Sequence, residues 1–259
     1  MKPLDIVYLC RPGDDNEELR YSLRSLSNLP HGKVWIAGYC PSWVSAEVER
    51  IPVPQMRDKH THALASLIAA LNDERVSDPF LMFNDDFYVM HPMDRIPVLH
   101  LGPLQQVIED HAESRYRIAM EKTAELIILN ASPGFRFYGY EIHAPMEFEK
   151  LALQLVLSLG EKIPGYHYRT AYGNLNGIGG TQCSDVKVYR SDKGNAYKEW
   201  ALLSTSDRTF KFHPVGRYIR DSFKMASPYE KPHRSGYRGS RVGSSGRAIR
   251  YSSTVVHPQ

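Results

Sequence analysis

Phe80-Leu81-Met82-Phe83-Asn84-Asp85-Asp86-Phe87-Tyr88-Val89-Met90 sets an amide and two adjacent carboxylates inside a run that is apolar on both sides. Four apolar residues, three polar ones and four more apolar or aromatic ones predict a buried strand interrupted at its carboxyl end. Asn and Asp often form ordinary turns, but turn residues usually sit in polar, Gly- or Pro-marked surroundings, and these do not. In open α/β sheets ligands gather outside the carboxyl ends of the strands. Acids emerging there suit a divalent cation and the phosphates it bridges. Asp85 and Asp86 are therefore the candidate metal ligands, and Asn84 is placed to orient a ribose or a metal-bound water.

Working outward, strand and helix signals alternate. Asp5 to Cys10 is a short apolar strand, followed by the loop Arg11 to Asp15 and a helix with Leu19, Leu23 and Leu26 at helical spacing. Asp15 with Glu18 three positions on reads as a helix cap and its reciprocal acid. Lys33 to Gly38 and Ile51 to Pro54 are further strands. Thr61 to Leu71 is a helix with Leu64, Leu67, Ile68 and Leu71 along one face. This β-α-β-α-β order predicts an α/β fold with a mostly parallel, mixed central sheet and flanking helices.

Beyond residue 100 the pattern is more mixed. Pro103 to Glu113 and Ser114 to Leu129 read as helices, and Phe135 to Ile142 as extended. Glu147 to Leu159 reads as an amphipathic helix carrying Leu151, Leu155, Val156 and Leu159. Gly173 to Gly180 reads as a flexible loop without the strand-turn-helix context of a dinucleotide fingerprint. Asp185 to Tyr189 and Trp200 to Ser204 are strand candidates.

The 259 residues suffice for one large domain, with ordinary hydrophobic and charged content. No apolar run reaches membrane-spanning length and the start has no signal-peptide core, so no membrane span and a cytoplasmic location are expected. Cys10, Cys40 and Cys183 are widely spaced, which suggests neither a disulfide framework nor a thiolate zinc site. Net charge is +3, yet residues 231–259 contribute +6 through Lys231, Arg234, Arg238, Arg241, Arg247 and Arg250, leaving −3 for the rest. The expected organisation is a body over 1–230 and a basic Ser/Gly/Arg-rich tail over 231–259. Such tails are commonly solvated termini, although basic arms also contact polyanions, and Tyr237 and Tyr251 could stack on bases.

Arg11, Asp15 and Arg20 flank the first strand-helix junction, where exposed helix-start amides favour an anion. With Asn84 they form the candidate donor-binding set. His143, after an extended aromatic segment, suits proton transfer or a metal shell. His60 and His62 lie two apart at a helix start and read as surface residues. Asp207 follows a strand in a run that equally reads as a helix cap.

Several of these blocks resemble a family. Asp5-Ile6-Val7-Tyr8 and the run Asp15-Asn16-Glu17-Glu18-Leu19-Arg20-Tyr21-Ser22-Leu23-Arg24-Ser25-Leu26 are similar to the first blocks of the Stealth-type capsule polysaccharide phosphotransferases, which transfer sugar 1-phosphate from a nucleotide sugar. Phe83-Asn84-Asp85-Asp86-Phe87 resembles the second block. His143-Ala144-Pro145 with Lys150 and Arg169-Thr170 resembles the third, and Ser206-Asp207 the fourth. Residues 4 to 230 also resemble short proteins of actinobacterial phages usually called glycosyltransferases. Leu9-Cys10-Arg11-Pro12-Gly13 departs from the Stealth pattern and favours the phage likeness. Both groups are related to the GT-A nucleotide-sugar fold.

The resemblance implies a GT-A-like, Mn2+- or Mg2+-dependent glycosyltransferase that uses a nucleotide-sugar donor, with His143, Arg169 and Asp207 as catalytic residues. It also implies a protein or glycan acceptor, such as a phage virion protein, ahead of nucleic acid. Sugar 1-phosphate transfer and glycosylation of modified DNA bases are the enzymatic alternatives. A cation-stabilised binding module is the non-enzymatic one.

Overall fold

Asp5, at the start of the first strand, fixes how the sheet is assembled. Its buried carboxylate accepts from the backbone N of Lys33 (2.9 Å), from Trp35 Nε1 (2.9 Å) and from the backbone N of Ser77 (3.1 Å). One acid thus ties together the entrances of three strands, and its lone pairs are satisfied as a buried carboxylate requires. Gly32 is needed beside it, since a Cβ there would lie 2.4 Å from Asp5 Oδ1.

The computed structural model describes residues 3–11, 13, 15–56, 58–131, 136–189 and 194–232. In chain order the elements are β1 (Asp5–Cys10), α1 (Glu17–Ser25), β2 (Val34–Gly38), β3 (Val48–Ile51), α2 (Lys59–Asn72), β4 (Phe80–Asn84), β5 (Phe87–Val89), β6 (Leu99–His100), α3 (Leu104–Glu109), α4 (Arg115–Asn130), β7 (Met146–Phe148), α5 (Lys150–Leu159), α6 (Tyr168–Leu175), β8 (Thr181–Gln182), β9 (Lys187–Val188), β10 (Leu202–Thr205), α7 (Asp207–Phe212) and α8 (Pro214–Ser222). The main sheet has the order β3-β2-β1-β4-β7, parallel except for β7. This is the expected α/β class with a mostly parallel, mixed central sheet and flanking helices. Among the described residues no helix is long and apolar enough to cross a membrane.

Alternation along the strands supplies both layers. Val7, Trp35, Phe80 and Met82 face α2, α4, α5 and α6 on one side, while Ile6, Tyr8, Ile36 and Phe83 face α1 and β5 on the other. The run from Phe80 to Met90 is not one interrupted strand. β4 belongs to the main sheet, whereas β5 pairs antiparallel with β10 in a second sheet, order β5-β10-β9. Asp85 and Asp86 stand at the corner where the chain changes sheets, so both flanks are apolar because each enters a different core.

Other boundaries differ for local reasons. Asn16, not Asp15, caps α1: it takes the left-handed conformation (φ 44°) and its side chain accepts from the backbone N of Leu19 (3.1 Å). The third strand lies upstream of the expected one, at β3. The expected helix from Glu147 is a strand first, because Met146 and Phe148 are buried around exposed Glu147. α6 continues to Leu175, so Gly173 is helical: the residue packs against Tyr140, where a Cβ would lie 2.5 Å from the ring. The expected extended segment contributes only an isolated bridge from Tyr138 to Pro103 among its described residues. Of the basic tail, only Lys231 and Pro232 are among the described residues.

Candidate active site

β1 lies between β2 and β4, so the order of connections reverses beside it, and crevices form at such a reversal. The loop after β1 and the corner after β4 meet there. Asn16 Nδ2 donates to Asp85 Oδ2 (2.8 Å), while the same side chain caps α1. Burial, followed by the neighbouring Asp86 charge, pushes Asp85 up to about 6, and Arg11 pulls in the opposite direction. Asp86 accepts from Lys187 Nζ (2.8 Å) and Ser204 Oγ (3.2 Å), bringing β9 and β10 to the corner.

A third carboxyl joins them. Glu18 in the first turn of α1 accepts from Thr205 Oγ1 (2.8 Å). Burial, then the charge of Asp86, pushes it up to about 8, with smaller contributions from Asp85 and Asp207. Glu18 therefore keeps its proton at neutral pH, and the cluster avoids three adjacent negative charges.

β9 connects this cluster to the second polar group. Asp185 receives His143 through its backbone N (3.1 Å) and through Nδ1 (2.8 Å). Burial raises Asp185, but the His143 hydrogen bond and charge outweigh it and hold the carboxyl below its usual range. With Nδ1 held by a carboxylate, Nε2 is the ring nitrogen left to face outward, and it meets the Tyr189 hydroxyl at 3.3 Å. Lys187 Nζ lies 5.5 Å from the Tyr189 ring centroid. Asp185, Lys187 and Tyr189, on β9 and the residues flanking it, thus join the acid corner to His143.

Among the described residues no group of three His, Cys, Asp or Glu side chains is arranged to hold a metal ion. Asp85 and Asp86 nevertheless fit a hard divalent cation. They offer adjacent oxygen donors whose mutual repulsion already raises Asp85, and such ions usually keep waters and take substrate oxygens.

No protein-family model and no curated protein matches the chain. Among solved structures, it is similar to the galactosyltransferase LgtC in complex with donor and acceptor sugar analogues, at 12% identity and a TM-score of 0.36 over 88% of this chain and 85% of that one. An active-site mutant of LgtC is similar at 11% identity and a TM-score of 0.37, with the same coverage.

The structure thus gathers Arg11, Asp85, Asp86 and His143 around one edge, with Asn84 closing β4 against Leu9. Other expected residues are engaged elsewhere. Arg20 pairs with Asp15 (3.3 Å) and Glu230 (3.3 Å) and lies over the Trp43 ring at 4.3 Å. These two donor-site candidates therefore bind each other and fasten the segment at residue 230. Asp207 opens α7, is largely exposed and pairs with Lys211 (2.9 Å), reaching the cluster only through its field on Glu18. Arg169 is buried in α6: its Nη2 donates to Ala144 O (2.6 Å), and its Nε has no partner.

His62 corrects its reading as a surface residue. It is 2% exposed, with Nε2 3.2 Å from Cys10 O, because Gly38 (φ 108°) lets α2 close onto the end of β1. Glu18, Asp185, Lys187 and Tyr189 were not singled out from sequence. The alternating polar positions Asp185, Lys187 and Tyr189 in a strand candidate were the available signal, whereas Glu18 resembled an ordinary capping acid.

Proposed function

We propose that the protein is a GT-A-like, metal-dependent glycosyltransferase that moves a sugar from a nucleotide-sugar donor to a protein or glycan acceptor. One observation carries this reading: the Asp85-Asp86 pair at the carboxyl edge beside β1 is joined through Asp185, Lys187 and Tyr189 to a carboxylate-oriented histidine. The motif resemblance to phage glycosyltransferases supports a virion protein as acceptor.

Asp85 and Asp86 would hold Mn2+ or Mg2+, which when bound neutralises charge developing on a leaving nucleoside diphosphate. Asn16 orients Asp85, and Arg11 and Lys187 add positive charge beside the departing phosphates. His143 Nε2 takes the proton from the acceptor hydroxyl, while Asp185 holds the ring and stabilises the imidazolium that forms.

Transfer of sugar 1-phosphate is favoured by one specific feature, the buried Arg169 guanidinium, whose Nη2 donates to the carbonyl of Ala144, the residue after His143, and whose Nε has no partner. Such a group suits a phosphoryl oxygen. The nucleotide product separates the two reactions: a diphosphate marks sugar transfer, and a monophosphate marks sugar-phosphate transfer.

The test is a panel of UDP-, GDP-, CDP- and TDP-sugars, read by thermal shift and donor hydrolysis with Mn2+ or with chelator. At least one donor should raise the melting temperature and be hydrolysed only with the cation. Absence of both responses across the panel rejects the enzyme in favour of a binding module.

A further inference from the structure

The segment from Glu141 to Ala144 meets the first turns of α4 and α6, and the junction buries a cation. Arg169 is only 6% exposed. Among the described residues its guanidinium donates only to Ala144 O (2.6 Å), its Nε has no partner, and it forms no ion pair. The neighbouring acids are turned to other groups. Glu141 Oε1 accepts from the backbone N of Thr170 (3.1 Å) and faces His167 Nδ1 at 3.9 Å, while Asp185 holds His143. Burying a guanidinium without a carboxylate is costly, and its planar fork is shaped for the oxygens of an anion.

Position separates this cation from the donor phosphates. In sugar transfer, the reading on which this inference rests, the diphosphate is met at the acid corner by the ion on Asp85 and Asp86 and by Arg11 and Lys187. The charges that act on Asp85 and Glu18 come from that corner and from Asp207. Arg169 acts instead on Tyr168 and Tyr116: burial, then Glu141, Tyr189 and Asp185, raises the Tyr116 hydroxyl, and Arg169 pulls it the other way. Two tyrosine rings border the group. Tyr189 stands edge-on to His143 (5.8 Å, 89°) and Tyr116 edge-on to His167 (4.5 Å, 88°), and they are 55% and 43% exposed. Flat rings with polar tips suit the C–H faces and hydroxyls of a sugar.

We propose that the acceptor is an anionic saccharide: its carboxylate or phosphate pairs with Arg169, its ring lies against Tyr189 and Tyr116, and its reacting hydroxyl lies at His143 Nε2 beside the Tyr189 hydroxyl. That hydroxyl oxygen bonds to the anomeric carbon as the bond from this carbon to the donor phosphate breaks. The bonding pair leaves on the nucleoside diphosphate, and the hydroxyl proton goes to His143.

The test uses the full chain, Mn2+ and whichever donor it hydrolyses. Transfer is measured to the methyl glycosides of glucose, galactose and mannose, to their uronic acid forms and to their 6-phosphates. At least one anionic form should exceed its neutral partner in kcat/KM by about tenfold or more. An excess at the uronic acids assigns a carboxylate and one at the 6-phosphates a phosphate, and either upholds the proposal. Arg169→Lys, which keeps the charge but loses the fork, should cut that ratio at least about threefold, and Arg169→Gln should bring it to about one. Thermal unfolding reports whether each variant is folded, and the Lys variant alone decides if the Gln variant is not. Tyr189→Ala, at an exposed ring, should raise KM for anionic and neutral acceptors alike. Equal use of anionic and neutral forms overturns the proposal, as does a preference that survives both Arg169 changes. Transfer to an acidic Ser-containing peptide but to no anionic saccharide also overturns it. Donor hydrolysis without acceptor that persists in those cases leaves the glycosyltransferase reading standing, whereas its absence removes both.

Discussion

The carboxyl edge of the main sheet half-buries a cluster of acids, while the outer face of α2 and α5 exposes leucines, so the two regions depart from inside-outside partition in opposite directions. At the edge the cost is electrostatic and is reduced locally, by a proton on Glu18, an ammonium on Asp86 and an amide on Asp85. On the helix face nothing within the described chain offsets the exposure. Half-buried charge with local compensation fits chemistry performed on a ligand, whereas the exposed leucines show that apolar spacing alone does not choose the buried side of a helix.

The largest expected effect tests the edge. His143→Ala should lower turnover about 10²- to 10⁴-fold while donor affinity stays within about tenfold, since its proposed contact is to the acceptor proton. Equal loss of binding and turnover would give His143 a structural role instead. Asp86→Asn should abolish cation-dependent donor binding with the fold retained, and calorimetry showing wild-type Mn2+-dependent affinity would remove Asp86 from the metal site. Asp207→Ala, at an exposed helix start, should matter far less.

The helix face separates inward from outward leucines. Leu153→Ala should cost about 2–5 kcal/mol in urea unfolding, because it opens a cavity in the core. Leu155→Ala, at a largely exposed position, should cost less than about 1 kcal/mol. Similar losses at both positions would mean that the exposed face is packed within the monomer.

Glu18 gives the next effect. Its folded pKa is raised from 4.5 to about 8, so its stabilising contribution is fully present below pH 4.5 and lost as pH rises through 8. In chelator, Glu18→Gln should match wild type near pH 4 and become more stable above pH 8, by a margin on the order of 2–4 kcal/mol. Parallel stability curves across that range would show that Glu18 ionises normally.

The smallest effect concerns the basic tail. Deleting residues 233–259 removes five arginines and none of the proposed site residues, so donor hydrolysis should persist. Filter binding of duplex DNA across a salt series should show at most weak affinity in either form. Tight, salt-steep binding lost on deletion would favour a DNA acceptor.

The α/β class, most strands of the main sheet and the acid pair at a strand end are legible in the order of the residues alone. These are local signals: two-residue alternation, helical spacing, and charge set into an apolar run. Only the folded chain assigns β4 and β5 to different sheets, brings His143 to Asp185 from 42 residues away and sets Glu18 against Thr205 from 187 residues away. It also decided which leucines of α5 are buried, because LALQLVLSL offers apolar residues to both sides and only a neighbouring layer selects one. Burial and long-range pairing set protonation and facing, and neither is encoded in the spacing of nearby residues.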